Sequence, residues 1–364
     1  MTAISARPGI LDIAPYVGGK SRLPGIERPI RLASNESALG PSPHAVEAFR
    51  GVADELHRYP DGEVAKLREA IGARFGLPPE RIVCGNGSDE LLALLAHAYA
   101  GPGDEVLYSA HGFLMYPILA RGVGATPVAA PETGLRADVD ALLERVGPRT
   151  RVLFLANPNN PTGSYLDRDE MHRLRSELGE DVLLVIDAAY AEFVTAGDYS
   201  PGLELVDAGA NVVMTRTFSK IFALSALRLG WAYCPPGVAD ALNRLRAPFN
   251  VNAAAQAAGV AAIEDVAFTE AARDHNETWR GWLAERLAGL GLQAYPSITN
   301  FLLVRFGDDP ERGAAAADRF LREKGIILRP VENYGLADCL RVTIGLEEEM
   351  RALVDALEAF VKRS

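Results

Sequence analysis

Three short segments of this chain, Val152 to Ala156, Val182 to Ile186 and Val212 to Thr215, are apolar almost from end to end. A strand with one wet face alternates polar and apolar residues, whereas a strand without that alternation has to be covered on both faces. Arg81 to Cys84, Glu105 to Tyr108 and Thr126 to Ala129 read as further strands. Between these segments the spacing becomes helical. Val64, Leu67, Ile71 and Phe75 share one face of the segment 63–75, and helices are predicted over about 89–99, 115–122 and 168–178. Buried strands separated by helices specify a mainly parallel sheet with helices on each side. Ligands gather at the carboxyl ends of such strands, and the polar motifs of this chain lie there.

The chain has 364 residues, enough for a second, smaller unit. The pattern changes near Pro248 to Asn252. A long helical stretch is predicted over 253–289, then strands at 301–305 and 340–344 and helices near 311–324 and 346–361. The expected fold class is α/β: a large domain with a mainly parallel central sheet covered by helices, plus a smaller α+β domain. The expected division is an arm and part of the small domain at 1–45, the large domain at 46–252 and the small domain at 253–364.

A net charge of −11 leaves no chain-wide basic footprint for nucleic acid. The most apolar stretch, Leu91 to Ala100, is too short to cross a bilayer, and Met1 to Pro15 lacks the pattern of a secretory leader. Cys84, Cys234 and Cys339 are scattered, which fits a reducing cytoplasm better than a disulfide framework. The six histidines have no metal-binding spacing, so no protein-bound metal is expected.

The chemistry is concentrated in Thr217-Phe218-Ser219-Lys220 and in Arg228 shortly after it. Two hydroxyls and a guanidinium can clasp a phosphate. An amine can form a Schiff base with an aldehyde. Pyridoxal phosphate needs both at once, and the other motifs offer partners for the rest of it. In Gly87-Ser88-Asp89-Glu90 a strand passes into a helix, whose free N–H groups can bind phosphate; Ser88 could equally be a plain helix cap. Asp187 ends an apolar strand, where a carboxylate can hold the proton on the pyridine nitrogen. Tyr190, and Asn160 in Asn157-Pro158-Asn159-Asn160-Pro161-Thr162-Gly163, can hydrogen-bond the ring oxygen. Phe113 can stack on the ring or belong to the core. Lys220 has to be partly neutral to react, and Arg228 and the ring cation are expected to lower its pKa. Displaced by a substrate amine, it could carry a proton between the substrate α-carbon and the cofactor.

These motifs resemble, nearly end to end, the fold-type-I pyridoxal-phosphate aminotransferases, and within them the histidinol-phosphate aminotransferases. The likeness is carried by Leu32-Ala33-Ser34-Asn35-Glu36 with Gly40-Pro41-Ser42, by Arg58-Tyr59-Pro60-Asp61-Gly62 and by the motifs around Ser88, Asn160, Asp187 and Lys220. Glu192 and Arg341-Val342-Thr343-Ile344-Gly345 complete it. The resemblance implies a homodimer in which Tyr59 reaches the neighbour's cofactor phosphate. It implies that Arg341 grips a substrate carboxylate, that Arg329 is a candidate for the distal phosphate of histidinol phosphate, and that Tyr16 and Asn35 close over the substrate. The implied reaction moves an amino group between L-glutamate and histidinol phosphate through their keto forms, in histidine biosynthesis, with no membrane or nucleic-acid partner.

The chain also departs from the family pattern. Asn35-Glu36-Ser37-Ala38 stands for Asn-Glu-Asn-Pro, Phe113 replaces a common tyrosine, and Ile221 to Ser225 replaces a stretch with histidine or glycines. The segment Phe249-Asn250-Val251-Asn252 is expected to help set substrate preference. An aromatic amino-acid aminotransferase on the same scaffold is therefore an alternative. A decarboxylase of the same fold and a non-catalytic effector-binding module are two more, the first disfavoured by Arg341 and the second by the absence of a basic DNA-binding segment.

Overall fold

The computed structural model describes residues 4–307 and 309–363. The first three residues of the expected arm, and positions 308 and 364 of the expected small domain, lie outside the described residues.

Among these residues the central sheet has seven strands, in the spatial order Ile82–Gly85, Gly230–Tyr233, Val212–Thr217, Leu183–Asp187, Thr150–Ala156, Glu105–Ser109 and Thr126–Ala130. All neighbours from Val212–Thr217 to Thr126–Ala130 are parallel. Successive side chains leave on opposite faces. Leu153, Leu155, Leu184 and Ile186 enter one apolar cluster, and Val152, Phe154, Leu183 and Val185 enter another. Both faces are therefore dry, which is why these strands carry no polar alternation. Each fully buried Leu, Ile or Phe contributes roughly 1.5–3 kcal/mol relative to exposure.

The strand Gly230–Tyr233 is absent from the sequence reading and antiparallel to both neighbours. Read alone, Leu227 to Trp231 is only an apolar surrounding for Arg228. Non-local pairing makes it a strand, with Gly230 opposite Gly85 on one side and Thr217 on the other. Trp231 is fully buried and stacks on Phe75 with ring centroids 5.4 Å apart.

The stretch expected as one long helix is two, Ala253–Glu264 and Val266–Gly289. Asp265 makes the break, because its carboxylate accepts from the backbone N–H of Phe268 and caps the second helix. A second sheet is antiparallel throughout: Gln293–Ala294, Phe301–Arg305, Leu336–Thr343 and Arg329–Val331. Helices Ala314–Glu323 and Glu347–Val361 bury Phe320, Leu321, Leu353 and Leu357 in its core. Strand Ile30–Arg31 pairs in parallel with Ile326–Ile327 and so ties the N-terminal region to this second unit.

Candidate active site

A cavity of about 430 Å³ lies between the carboxyl ends of the central strands and the second sheet. Every site residue expected from the sequence lines it, with the exception of Tyr59, which is 82% exposed on the surface of this single chain.

At one end is an anion cradle. Helix Ser88–Tyr99 starts at Gly87, and no side chain caps it. Ser88 is thus the first helical residue rather than the cap, which leaves the first-turn N–H groups for a ligand. Arg228 donates from Nη1 to Ser219 Oγ at 3.2 Å and from Nη2 to Asp89 Oδ2 at 3.0 Å. Thr217 Oγ1 accepts from the Ser219 N–H at 3.1 Å. The cradle depends on glycine at two points. A Cβ on Gly87, whose φ is +82°, would lie 2.5 Å from Arg228 Nη2, and one on Gly230 would lie 2.3 Å from Ser88 N. Gly230 was not identified from sequence, because its role rests on the unforeseen strand.

In the middle sits Asp187. Its Oδ2 accepts from Tyr116 at 3.0 Å, while Oδ1 is buried with no hydrogen-bond partner among the described residues. Burial pushes its pKa up to about 6, against the opposing pull of the Tyr116 hydrogen bond. An N–H cation facing Oδ1 would satisfy the orphaned oxygen, so the residues present fit a protonated pyridine ring. Tyr116 is a site residue the sequence reading passed over, because a buried helix tyrosine gives no local signal of its acceptor. Its ring packs against Phe113 edge-on, with centroids 5.9 Å apart. Tyr190 accepts from Asn35 Nδ2 at 2.8 Å.

Lys220 projects beside the Tyr190 ring, with Nζ 5.7 Å from its centroid and 3.4 Å from the Ser34 carbonyl oxygen. Its pKa is lowered to about 8. Burial is the main cause and the Arg341 charge the next, with Arg228 contributing least. The sequence reading named Arg228 and the ring cation and did not anticipate burial or Arg341.

At the far end stand two arginines. Arg341 and Arg329 occupy paired positions on neighbouring antiparallel strands and are 6% and 8% exposed. Arg341 donates to Asn160 Oδ1 and, at 2.8 Å, to the Ala33 carbonyl; its Nε is buried without a partner among the described residues. Arg329 donates to the Val17 carbonyl at 2.7 Å. Among the described residues neither makes an ion pair with a carboxylate. Buried charges are ordinarily paired, so this end of the cavity is set up for an anion. Tyr16 meets Phe113 edge-on at its mouth, with centroids 6.2 Å apart.

The segment Phe249 to Asn252 does not line the cavity of this chain. Phe249 instead stacks on Tyr59, with centroids 4.7 Å apart.

A family profile described as aminotransferase class I and II matches residues 27–357. The chain belongs to this aminotransferase family. The aminotransferase is 63% identical to a histidinol-phosphate aminotransferase of Paramagnetospirillum magneticum, over 99% of both chains. It is 62% identical to the protein of that name from Rhodospirillum centenum, over 98% of both. Its structure matches that of histidinol-phosphate aminotransferase from Sinorhizobium meliloti in complex with pyridoxal 5′-phosphate, with a TM-score of 0.90 and 29% identity over 99% of both chains. This aminotransferase has the fold-type-I architecture expected from its sequence, and pyridoxal phosphate is its cofactor. Among its described residues no helix is long and apolar enough to cross a membrane.

Proposed function

We propose that this aminotransferase exchanges an amino group between the L-glutamate/2-oxoglutarate pair and the histidinol phosphate/imidazole-acetol phosphate pair, in histidine biosynthesis. The names of its relatives support the reading. The observation that carries it is the facing pair Arg341 and Arg329, buried without carboxylate partners among the described residues. Glutamate brings two carboxylates and histidinol phosphate a phosphate, and a guanidinium fork binds either.

When bound, pyridoxal phosphate supplies an aldehyde for amine exchange and a protonated ring that draws electrons from the substrate α-carbon. In this proposal the first-turn N–H groups at Ser88 and Asp89, with Thr217, Ser219 and Arg228, would hold the phosphate, while the Asp89 carboxylate orients Arg228. Asp187 keeps the ring nitrogen protonated, and Tyr116 fixes its carboxylate. Tyr190 and Asn160 would hydrogen-bond the ring oxygen, and Phe113 would pack against the ring. Lys220 is the amine that would hold the cofactor and would move the proton at the substrate α-carbon; its depressed pKa supports a neutral amine near physiological pH. Arg341 takes the carboxylate, Arg329 the substrate phosphate, and Tyr16 and Asn35 close the mouth and exclude water.

The proposal extends to a cytoplasmic homodimer in which Tyr59 completes the partner's phosphate site. The exposed Tyr59, Leu56 and Phe49 support an interface, and the three unpaired cysteines suit a reducing compartment. We divide the chain functionally into a large and a small domain, with helix Ala253–Glu264 assigned to the large one because Ala255, Ala258 and Ala262 sit in its core.

The test is a substrate panel with 2-oxoglutarate as acceptor. Histidinol phosphate should exceed phenylalanine in kcat/KM; a large preference for phenylalanine would replace this reading with the aromatic alternative.

A further inference from the structure

Phe249 has a φ of +57°, a left-handed conformation that bulky side chains rarely adopt. A strained, partly exposed aromatic residue needs a reason to stay where it is. Three contacts hold it.

Its ring stacks on Tyr59 at an interplanar angle of 20°, and it lies against Gly62, where a Cβ would come within 3.3 Å of it. The next residue, Asn250, donates from Nδ2 to Glu90 Oε2 at 2.7 Å and accepts at Oδ1 from Arg246. The same Glu90 oxygen accepts from the Asn86 N–H at 2.6 Å, within the turn that leads into the phosphate cradle. Gln256 Nε2 then bridges the carbonyls of Asp61 and Val251, each at 2.9 Å, closing the Tyr59 turn onto the Phe249 loop. Tyr59 is thus exposed yet held, and the chain of contacts behind it ends at the protomer's own cradle.

We infer that Phe249 and Asn250 are positioning residues that hold Tyr59 in register with the cradle at Gly85 to Asp89, so that the tyrosine is presented to its partner in one fixed orientation. This rests on the reading that Tyr59 completes the partner's site. An exposed tyrosine without a stacking neighbour samples several rotamers, and a donor that has to be ordered on binding contributes less to affinity.

The test measures release of pyridoxal phosphate from the purified dimer, by the loss of its near-visible absorption into a trapping apoprotein, together with the sedimentation coefficient. Tyr59→Ala and Phe249→Ala should each speed release, Phe249→Ala by about three- to tenfold, on the scale of one aromatic pair. The double variant should release no faster than Tyr59→Ala alone, Phe249→Tyr should restore the slow rate, and all should sediment as dimers. Asn250→Ala should follow Phe249→Ala. If Tyr59→Ala leaves release unchanged, the reading of Tyr59 fails and takes this inference with it. If Tyr59→Ala speeds release while Phe249→Ala does not, or the two effects multiply, Tyr59 keeps its role and the positioning role of Phe249 is overturned.

Discussion

Arg329 and Arg341 face each other across two antiparallel strands, both buried, with carbonyl and amide oxygens as their hydrogen-bond partners. Holding two guanidiniums this close with no carboxylate partner among the described residues is unfavourable, and burial lowers the pKa of Arg341. An anionic substrate relieves that cost.

Arg329→Ala should therefore lower kcat/KM for histidinol phosphate about 10- to 100-fold, the effect of losing a charge-assisted hydrogen bond worth about 1.5–3 kcal/mol. The glutamate half-reaction should suffer less. Steady-state kinetics on both amino donors checks this, and an equal loss on the two would show that Arg329 does not select for phosphate.

Asp187→Asn should abolish turnover yet stabilise the cofactor-free protein. The folded pKa of Asp187, about 6, lies above its ordinary 3.8, so the folded chain binds the extra proton between those values. Stability of the cofactor-free protein is then lost as pH rises from about 3.8 to 6, by on the order of 3 kcal/mol. Urea unfolding of the cofactor-free wild type and variant at pH 5 and pH 8 should show a larger advantage for the variant at the higher pH, and none below about pH 3.8.

Lys220 reacts as the neutral amine. With a pKa lowered to about 8, the rate at which cofactor-free protein recombines with pyridoxal phosphate should climb with pH and level off above about 8. Stopped-flow absorbance between pH 6 and 10 measures it. Lys220→Ala should form no adduct that borohydride can trap.

Tyr116→Phe removes the hydrogen bond that Asp187 Oδ2 accepts from the Tyr116 hydroxyl. The carboxylate should then hold its proton more tightly, and kcat should fall about tenfold, the scale of one charge-assisted bond. A shift of the acid limb of the pH–kcat profile to higher pH would separate this from a simple loss of folding.

Glu192→Gln should cost stability. Glu192 and Arg216 form a buried ion pair at 3.1 Å, and the Arg216 guanidinium lies over the rings of Phe75 and Trp231. Removing one partner of such a pair costs about 3–5 kcal/mol, which thermal unfolding would register as a large drop in Tm.

The parallel strands were legible in the sequence because burial on both faces removes polar alternation; Asp187 was legible because it ends such a strand, and Lys220 because two hydroxyls and an arginine cluster around it. Three features were not. Gly230–Tyr233 is short and gains strand character only by pairing with two distant segments. Tyr116 looks like any core aromatic until its acceptor, 71 positions away, comes into view. The end of helix Ala253–Glu264 depends on a single capping carboxylate, which a periodicity argument reads straight through. Phe249 was noticed for its position, but its stacking on Tyr59 appears only in three dimensions.

Gly230 meets Gly85 on one flank and Thr217 on the other. The strand it begins therefore works as a gauge between two separately encoded stretches of chain. Inserting or deleting one residue in 82–85 would bring a side chain opposite Gly230 in place of Gly85, and doing so in 212–217 would move the Thr217 hydroxyl out of the cradle. Length variation among related chains should accordingly fall outside these two stretches, and a single-codon insertion there should be more damaging than most substitutions at the same positions.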